Sequence, residues 1–560
     1  MENVDVLVVG GGPVGLIATL LFRQLGLSVK VVELRDGPQT APSAHVVSAR
    51  SLEILRSLGL DMDRIEALAQ IPAEGAWVRW VDSLVGRELG HVPFENLHQP
   101  AVAIATSPQP LRNLSQHRLE PFLYEAVGDV SNGVAWLSAR EDGEGVTSVL
   151  QDRASGEAFE VRSRYILGAD GASSSVRKFA GIEMEGPDAL ENFISIHVEA
   201  DLRSLVGHRP ATLYWITDPT VQGTFVAHDI ASAWVYMTTY DPSSETVADY
   251  DHVRAEAIVR RAGQIPSEIP LTVRHVSTWR MTSQVATSFR RGRIFLAGDS
   301  AHRFPPTGGL GLNTGIAEAH NLAWKLASVL RGASPESLLD SYESERRPLA
   351  LANANISLEN AMRLIEVWIA LAVDGDLEAS KSRIDEILAT PQGRAAVAGA
   401  IENQSEHFDQ LGVQLGYAYS SSGGLVVDDE LGRPEPTNPV REYIPSCTPG
   451  ARLPHLVIER SGEMLSTLDL VVPGEYLLLT TNAAWRDVVG DLTLALTCVV
   501  LGGDITIDKS AWHAVSAVGP NGVVLVRPDQ HVAWRSNHGP TEHGRELETV
   551  LRALRAGEAS

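Results

Sequence analysis

The feature that most limits the fold lies at residues 4–34, VDVLVVGGGPVGLIATLLFRQLGLSVKVVEL. Residues 4–9 read as a largely buried parallel strand. Gly10, Gly12 and Gly15 then form G-x-G-x-x-G, and Pro13 and Val14 lead into a helical pattern over 16–25. A second strand over 28–32 ends at Glu33, 18 positions past Gly15. Glycines at these places allow a tight turn and close approach of a pyrophosphate, which the helix N-terminus attracts. A glycine-rich turn alone would be weak, but strand, helix and acid in this order predict a dinucleotide site. Its contacts are expected from Gly10, Gly12, Pro13, Val14, Gly15, Glu33, Leu34 and Arg35. An acid at a ribose diol disfavours a 2′-phosphate, so the tightly held nucleotide is FAD or NAD rather than NADP.

At 560 residues the chain exceeds one core and should divide into about three domains. A net charge of −24 argues against nucleic-acid or anionic-membrane partners. The two cysteines, Cys447 and Cys498, make neither a CxxC nor a metal set, which suits a cytoplasmic protein. The N-terminal apolar run is too short and too acidic for a signal peptide, and no run of 18 apolar residues occurs.

A second unusual stretch, GRIFLAGDSAHRFPPTGGLGLNTG, occupies 292–315. It places Gly298–Asp299 at the end of a strand, then two prolines and four glycines before a helix near Gly315. A fold serving NAD alone needs nothing of this kind, whereas FAD needs a second anchor far along the chain. Asp299 can hydrogen-bond a ribityl hydroxyl. Gly308, Gly309 and Gly311 let backbone N–H groups crowd a ring edge, with Leu312 and Asn313 beside them. The helix directs its positive end there.

Here the sequence resembles the class A, single-component flavoprotein monooxygenases related to para-hydroxybenzoate and phenol hydroxylases. GRIFLAGDSAHRFPPTGGLGLNTGIAEAHNLAWKLA is similar to the family's second FAD motif. YILGADGASSSVR resembles its Asp-Gly motif, carried by Asp170 and Gly171. SQHRLEPFL resembles its flavin-contacting helix, with Gln116 in the FAD-binding place. AIENQSEHFDQLGVQLGYAY and LVRPDQHVAWR are most similar to the 2,4-dichlorophenol hydroxylase branch and its polyketide-tailoring relatives. Where the family has an arginine near the pyrophosphate this chain has Ser43, which leaves Arg35 and Arg118 as the replacements to examine.

The resemblance implies an α/β fold: a Rossmann-like FAD-binding domain, an inserted β-sheet substrate domain and a C-terminal thioredoxin-like domain. The expected boundaries are 1–75, 106–180 and 281–410 for the FAD domain, and 76–105 with 181–280 for the substrate domain. A linker over 419–439 precedes a C-terminal domain over 440–560, whose strands are expected at 475–480, 494–500 and 523–527. Lacking CxxC, that domain is expected to pack or oligomerise rather than do redox work. The resemblance also implies tightly bound, non-covalent FAD, with NADPH or NADH as transient reductant. O2 and a small phenolic or polyketide-type aromatic substrate would react through a flavin C4a-hydroperoxide. Homo-oligomerisation is left open.

The expected catalytic residues are His45, as acceptor of the phenol proton, and Arg50, which either holds its loop over the ring or begins a helix at 51–58. Tyr214, Trp215, Trp279, Pro305 and Pro306 are candidate substrate contacts, with packing as the plain alternative for each aromatic. His302 is expected to be structural. A Baeyer–Villiger or epoxidising oxygenase is the nearest rival. A halogenase would need WxWxIP, and Trp77 and Trp80 stand one residue too far apart. A non-catalytic dinucleotide-binding module is the rival from another class.

Overall fold

The computed structural model describes residues 1–560 except 96, 98, 423–424, 491–494 and 558–560, together with the side chains of 542 and 543. The first residue of the strand expected at 494–500 therefore lies outside the described residues; the strand runs Leu496–Val500. No helix among the described residues is long and apolar enough to cross a membrane.

The apolar run at the N-terminus becomes the strand Glu2–Val9, flanked in parallel by Val29–Val32 and Ala158–Gly168. Ile294–Leu296 adds a further parallel strand beyond Ala158–Gly168. Register aligns Val9 with both Val32 and Gly168, and Gly168 with Leu296. Gly10, Glu33, Asp170 and Asp299 consequently emerge side by side at one carboxyl edge, where open α/β sheets bind ligands. Four motifs scattered over some 290 positions thus share one place. The helices Pro13–Gln24 and Leu310–Leu330 pack on each other behind that edge, burying Leu16, Ile17, Ile316, Ala319 and Leu322.

A second sheet has seven strands, in the order Thr272–Met281, Glu191–Glu199, Ala233–Thr239, Gly223–Asp229, Leu213–Ile216, Trp77–Val81 and Glu88–Pro93. Alternation along each strand gives it two apolar faces. Tyr214, Phe225, Trp234 and Tyr236 pack beneath the helix His252–Gly263. Trp80, Val92, Leu213 and Val235 face Val367, Ile401 and Phe408 of the later helices.

The C-terminal sheet runs Leu496–Val500, Tyr476–Thr480, Val523–Val526, Val532–Ser536, with one parallel and two antiparallel pairs. This is a thioredoxin-like arrangement without its cysteine pair. Burial pushes the Cys447 and Cys498 thiols up to about 12 and about 11, so both stay protonated and unreactive at neutral pH.

Two expectations shift. The helix placed near Gly315 starts at Leu310, because Gly309 (φ 64°) takes the left-handed turn that begins it. Gly311, Leu312 and Asn313 are therefore in its first turn. The segment expected as a linker, 419–439, is pinned in its described part. Tyr419, Leu425 and Val426 are buried, and the Leu425 and Val427 amides donate to Glu345 and to the Ala533 carbonyl. Composition identified its turns but not its buried anchors.

Candidate active site

The carboxyl edge carries a cradle that fits FAD. A Cβ on Gly10 (φ 113°) would lie 2.2 Å from the Ala169 carbonyl oxygen, and one on Gly15 would lie 2.0 Å from the Gly10 oxygen. The turn closes only without side chains. Glu33 accepts from the Gly11 amide at 2.6 Å and from the Arg35 amide and Nε at 2.8 and 2.9 Å. Burial pushes its carboxyl up, but the Arg35 and Gly11 donors outweigh it and hold the group below its ordinary range. The ionised carboxylate keeps lone pairs for a diol. Leu34 is exposed beside it.

Asp299 at the neighbouring strand end makes no hydrogen bond among the described residues, although protein surrounds it; its carboxylate opens into the cleft. Burial raises its carboxyl, against the opposing pull of His302 and Arg303. An unpartnered acid so placed suits a ribityl hydroxyl. Gln116 Nε2 donates to Glu120, one turn along its own helix, at 2.9 Å.

Other members of the set are engaged by the protein. Asp170 caps the helix Ser175–Phe179, accepting from Ser174 Oγ and the Ser175 and Val176 amides at 2.5, 2.7 and 3.1 Å. Asn313 uses its whole amide to pin the 46–51 segment: Oδ1 accepts from the Ser48 amide and Ser51 Oγ, and Nδ2 donates to the Val46 and Gly309 carbonyls. Its side chain has nothing left for a cofactor. His302 is structural, pairing with Glu318 at 3.0 Å in a fully buried position. Near exposed Ser43, Arg35 is paired with Glu33 and Glu120, and Arg118 with Asp229, so neither is a free cation in the missing arginine's place.

A pocket beyond the cradle is formed by His45, Phe94, Glu95, Leu111, Leu213 and Pro306, with the turn Gly308–Gly309 and the residues His407, Phe408, Gln410 and Gln414. His45 Nδ1 lies 2.7 Å from Asn113 Oδ1. Asn113 Nδ2 donates to Gln70, Thr212 and the Ala227 carbonyl, which fixes the amide so that its oxygen faces the ring. His45 therefore carries its proton on Nδ1 and presents a lone pair at Nε2. The ring has surface toward the pocket, yet protein encloses it, and burial lowers its pKa to about 4, partly offset by Asn113. At neutral pH it is an uncharged acceptor.

Sequence reasoning missed Glu95. It holds a left-handed backbone (φ 47°), accepts from Gln414 Nε2 at 2.5 Å, and is raised by burial and by Asp409 to about 8. It is a neutral acid at pH 7. Gln410 Nε2, also buried, has no partner among the described residues. The quoted stretch HFDQLGVQ held the signal for the glutamines; nothing local distinguished Glu95.

Three expected contacts lie elsewhere. Arg50 points from the pocket to the C-terminal domain, where Nη1 donates to Gln530 at 2.6 Å and Nη2 to the Asp529 carbonyl at 2.8 Å. Tyr214 alternates to the far face of its strand, and its hydroxyl donates to the Arg209 carbonyl. Trp279 stands on the edge strand, four strands from Leu213, stacked on Phe193 at 4.6 Å and donating to Ser195 Oγ. Trp215 does share Leu213's face, stacked on Trp80 at 6.5 Å, behind the pocket wall. Pro305 is buried, and the Pro306 carbonyl accepts from the Gly309 amide at 3.0 Å.

The chain matches the family profile for an FAD binding domain over residues 3–357 and that for the C-terminal part of aromatic-ring hydroxylases over 446–556. It is 33% identical to a 2,4-dichlorophenol 6-monooxygenase of Cupriavidus pinatubonensis, over 98% of this chain and 96% of that protein. It is 32% identical to a tetracenomycin B2 monooxygenase-dioxygenase of Streptomyces olivaceus, over 99% of each. The crystal structure of the flavin-dependent monooxygenase PieE with FAD and substrate superposes with a TM-score of 0.92 at 34% identity, covering 99% of both chains. With the cradle fitting FAD and both profiles matched, the chain belongs to the FAD-dependent aromatic-ring hydroxylases.

Proposed function

We propose that this FAD-dependent monooxygenase hydroxylates a phenolic ring, simple or of polyketide type, held in the pocket of His45, Phe94, Glu95, Leu111, Leu213 and Phe408. The relatives' names, dichlorophenol and tetracenomycin among them, support that substrate class. The observation that carries the reading is His45, whose tautomer is fixed by Asn113 so that Nε2 can accept a proton. FAD, reduced by NADH or NADPH, supplies oxygen activation when bound; Gly10–Gly15, Glu33, Gln116, Asp299 and the backbone of 308–313 would hold it. The chain's residues do the rest. His45 Nε2 accepts the hydroxyl's hydrogen bond, which enriches the ring, and takes the proton only as the ring gives up electron density to the incoming oxygen; a free phenol titrates near pH 10, so before that it stays protonated. Glu95, a neutral acid, donates to a second oxygen of the substrate. Phe94, Leu111 and Phe408 keep water from the reacting atoms.

On the same reading the FAD role falls to 1–75, 106–180 and 281–410, and the substrate role to 76–105 and 181–280. The strand membership of the first two sheets supports that division. The two unpaired thiols support a cytoplasmic site. Substrate-stimulated NAD(P)H oxidation across a panel of phenols, with product mass and ring position, tests the reading. A lactone or epoxide as the product would replace it.

A further inference from the structure

Where the FAD-binding helices meet the C-terminal domain, buried cations are matched with buried acids. Arg527 meets Glu345 and Asp529, Lys325 meets Glu345, and Arg50 and Arg452 share Glu53. Arg346, on the helix Asp340–Arg363, is 2% exposed and forms no ion pair among the described residues. Its Nη1 donates to the Tyr419 hydroxyl at 3.3 Å and its Nη2 to the Thr314 carbonyl at 3.2 Å, both neutral acceptors. Its Nε has no partner among the described residues. Glu318 acts on it through space but is itself paired with His302. Burying a cation costs several kcal/mol unless an opposite charge joins it.

A cavity of about 40 Å³ lies against this guanidinium, lined by Ser48, Arg50, Asn313, Thr314, Arg346 and Tyr417 among others. Gln414 is the one residue it shares with the wall of the His45 pocket. Arg50 Nε, on a side chain 3% exposed, and the Tyr417 hydroxyl are further buried groups without partners among the described residues. Acceptors on the same wall are engaged. Asn313 Oδ1 takes the Ser48 amide and Ser51 Oγ, Gln414 Oε1 takes the Ala49 amide, and the Thr314 carbonyl takes Arg346. The wall therefore offers three idle donors and excess positive charge, which repels a metal cation and attracts an anion.

We infer that this cavity is a binding site for a single chloride ion, held by Arg346 Nε, Arg50 Nε and the Tyr417 hydroxyl. Size restricts the choice. A water-sized occupant needs about 10–15 Å³, so the space takes a monatomic ion with a water or two, whereas a phosphate or sulfate carries four oxygens of that size. Asn353, Val413 and Tyr417 on the rim are half-buried, so the ion exchanges with solvent. Bound there, it ties the first turn of the helix Leu310–Leu330 to the helix Asp340–Arg363 and to the chain at Tyr417. The native state alone assembles these donors, so chloride stabilises the fold.

The test melts FAD-saturated protein in sodium chloride and in sodium gluconate at one ionic strength, which cancels general screening. Going from no chloride to about 200 mM should raise the midpoint by about 2 °C or more and then saturate, with bromide acting alike. Chloride should not move the midpoint of Arg346→Met, so its deficit against wild type shrinks as chloride is withdrawn. Should that variant fail to fold, Tyr417→Phe removes one donor and should raise the half-effective chloride concentration about fivefold. Crystals soaked in bromide should show an anomalous peak beside Arg346. A wild-type midpoint indifferent to chloride overturns the site. So does a chloride response unchanged in these variants, or bromide bound only elsewhere.

Discussion

Among the residues proposed to hold FAD, Asp299 has least else to do, since no donor among the described residues reaches its carboxylate. Asp299→Ala should weaken FAD binding by about 1–3 kcal/mol, roughly five- to 150-fold in Kd. Flavin fluorescence titration of the apoprotein measures this, and an unchanged Kd would remove Asp299 from the site. His45→Ala should keep FAD but hydroxylate about a hundredfold more slowly, with part of the rate returning at high pH, where free phenolate exists. Wild-type turnover across that pH range would eliminate His45 as acceptor. Glu95 makes a separate prediction about stability. Its folded pKa of about 8 exceeds the ordinary 4.5, so the native state binds the extra proton. Stability is then fully present below about 4.5 and falls as pH rises toward about 8. Glu95→Gln, which keeps the shape without the charge, should flatten that fall by about 1–4 kcal/mol; parallel melting curves for the two proteins between pH 5 and 8 would contradict the assignment. At this scale the strand-end placement of Glu33 and Asp299 was legible, from the apolar runs that precede them. Glu95 and Gln410 carry no such cue, because distant packing makes their chemistry. Arg50 and Tyr214 were misplaced for the same reason, one drawn to a domain yet to be built and the other turned by strand alternation.

Among elements, the strands at 4–9 and 294–296 and the helix after Gly15 were readable, because apolar period and glycine placement act locally. The helix at 310 was read five residues late. Its start depends on a left-handed Gly309 that periodicity does not register. The C-terminal strands were also readable, and their cysteines lead to a prediction. Cys447→Ser with Cys498→Ser should leave NAD(P)H oxidation and product formation within about twofold of wild type, since thiols pushed to about 12 and about 11 hold no thiolate at neutral pH. A large loss in a variant with normal FAD content would give that domain a redox task.

The whole molecule is joined by charges that no local pattern reveals. Arg527 of the C-terminal domain meets Glu345 at 2.5 Å and Asp529 at 2.6 Å, and Lys325 meets Glu345 at 2.7 Å, all fully buried. Arg527 and Lys325 outweigh burial and lower the Glu345 carboxyl to about 2. Removing the shared cation takes the paired guanidinium from Asp529 and leaves Glu345 with Lys325 as its cation, so Arg527→Ala should destabilise the protein by about 3–5 kcal/mol in urea unfolding; a loss below about 1 kcal/mol would show the interface does not depend on it. All these parts serve one claim, that the chain inserts oxygen into a phenolic ring. The direct measurement supplies purified holoenzyme with NADH or NADPH, a phenol and isotopically labelled O2, and locates the label in the product. One labelled oxygen on a ring carbon, with the ring intact, is the predicted result. Label inserted into a carbon–carbon bond, or product oxygen drawn from water, would contradict it.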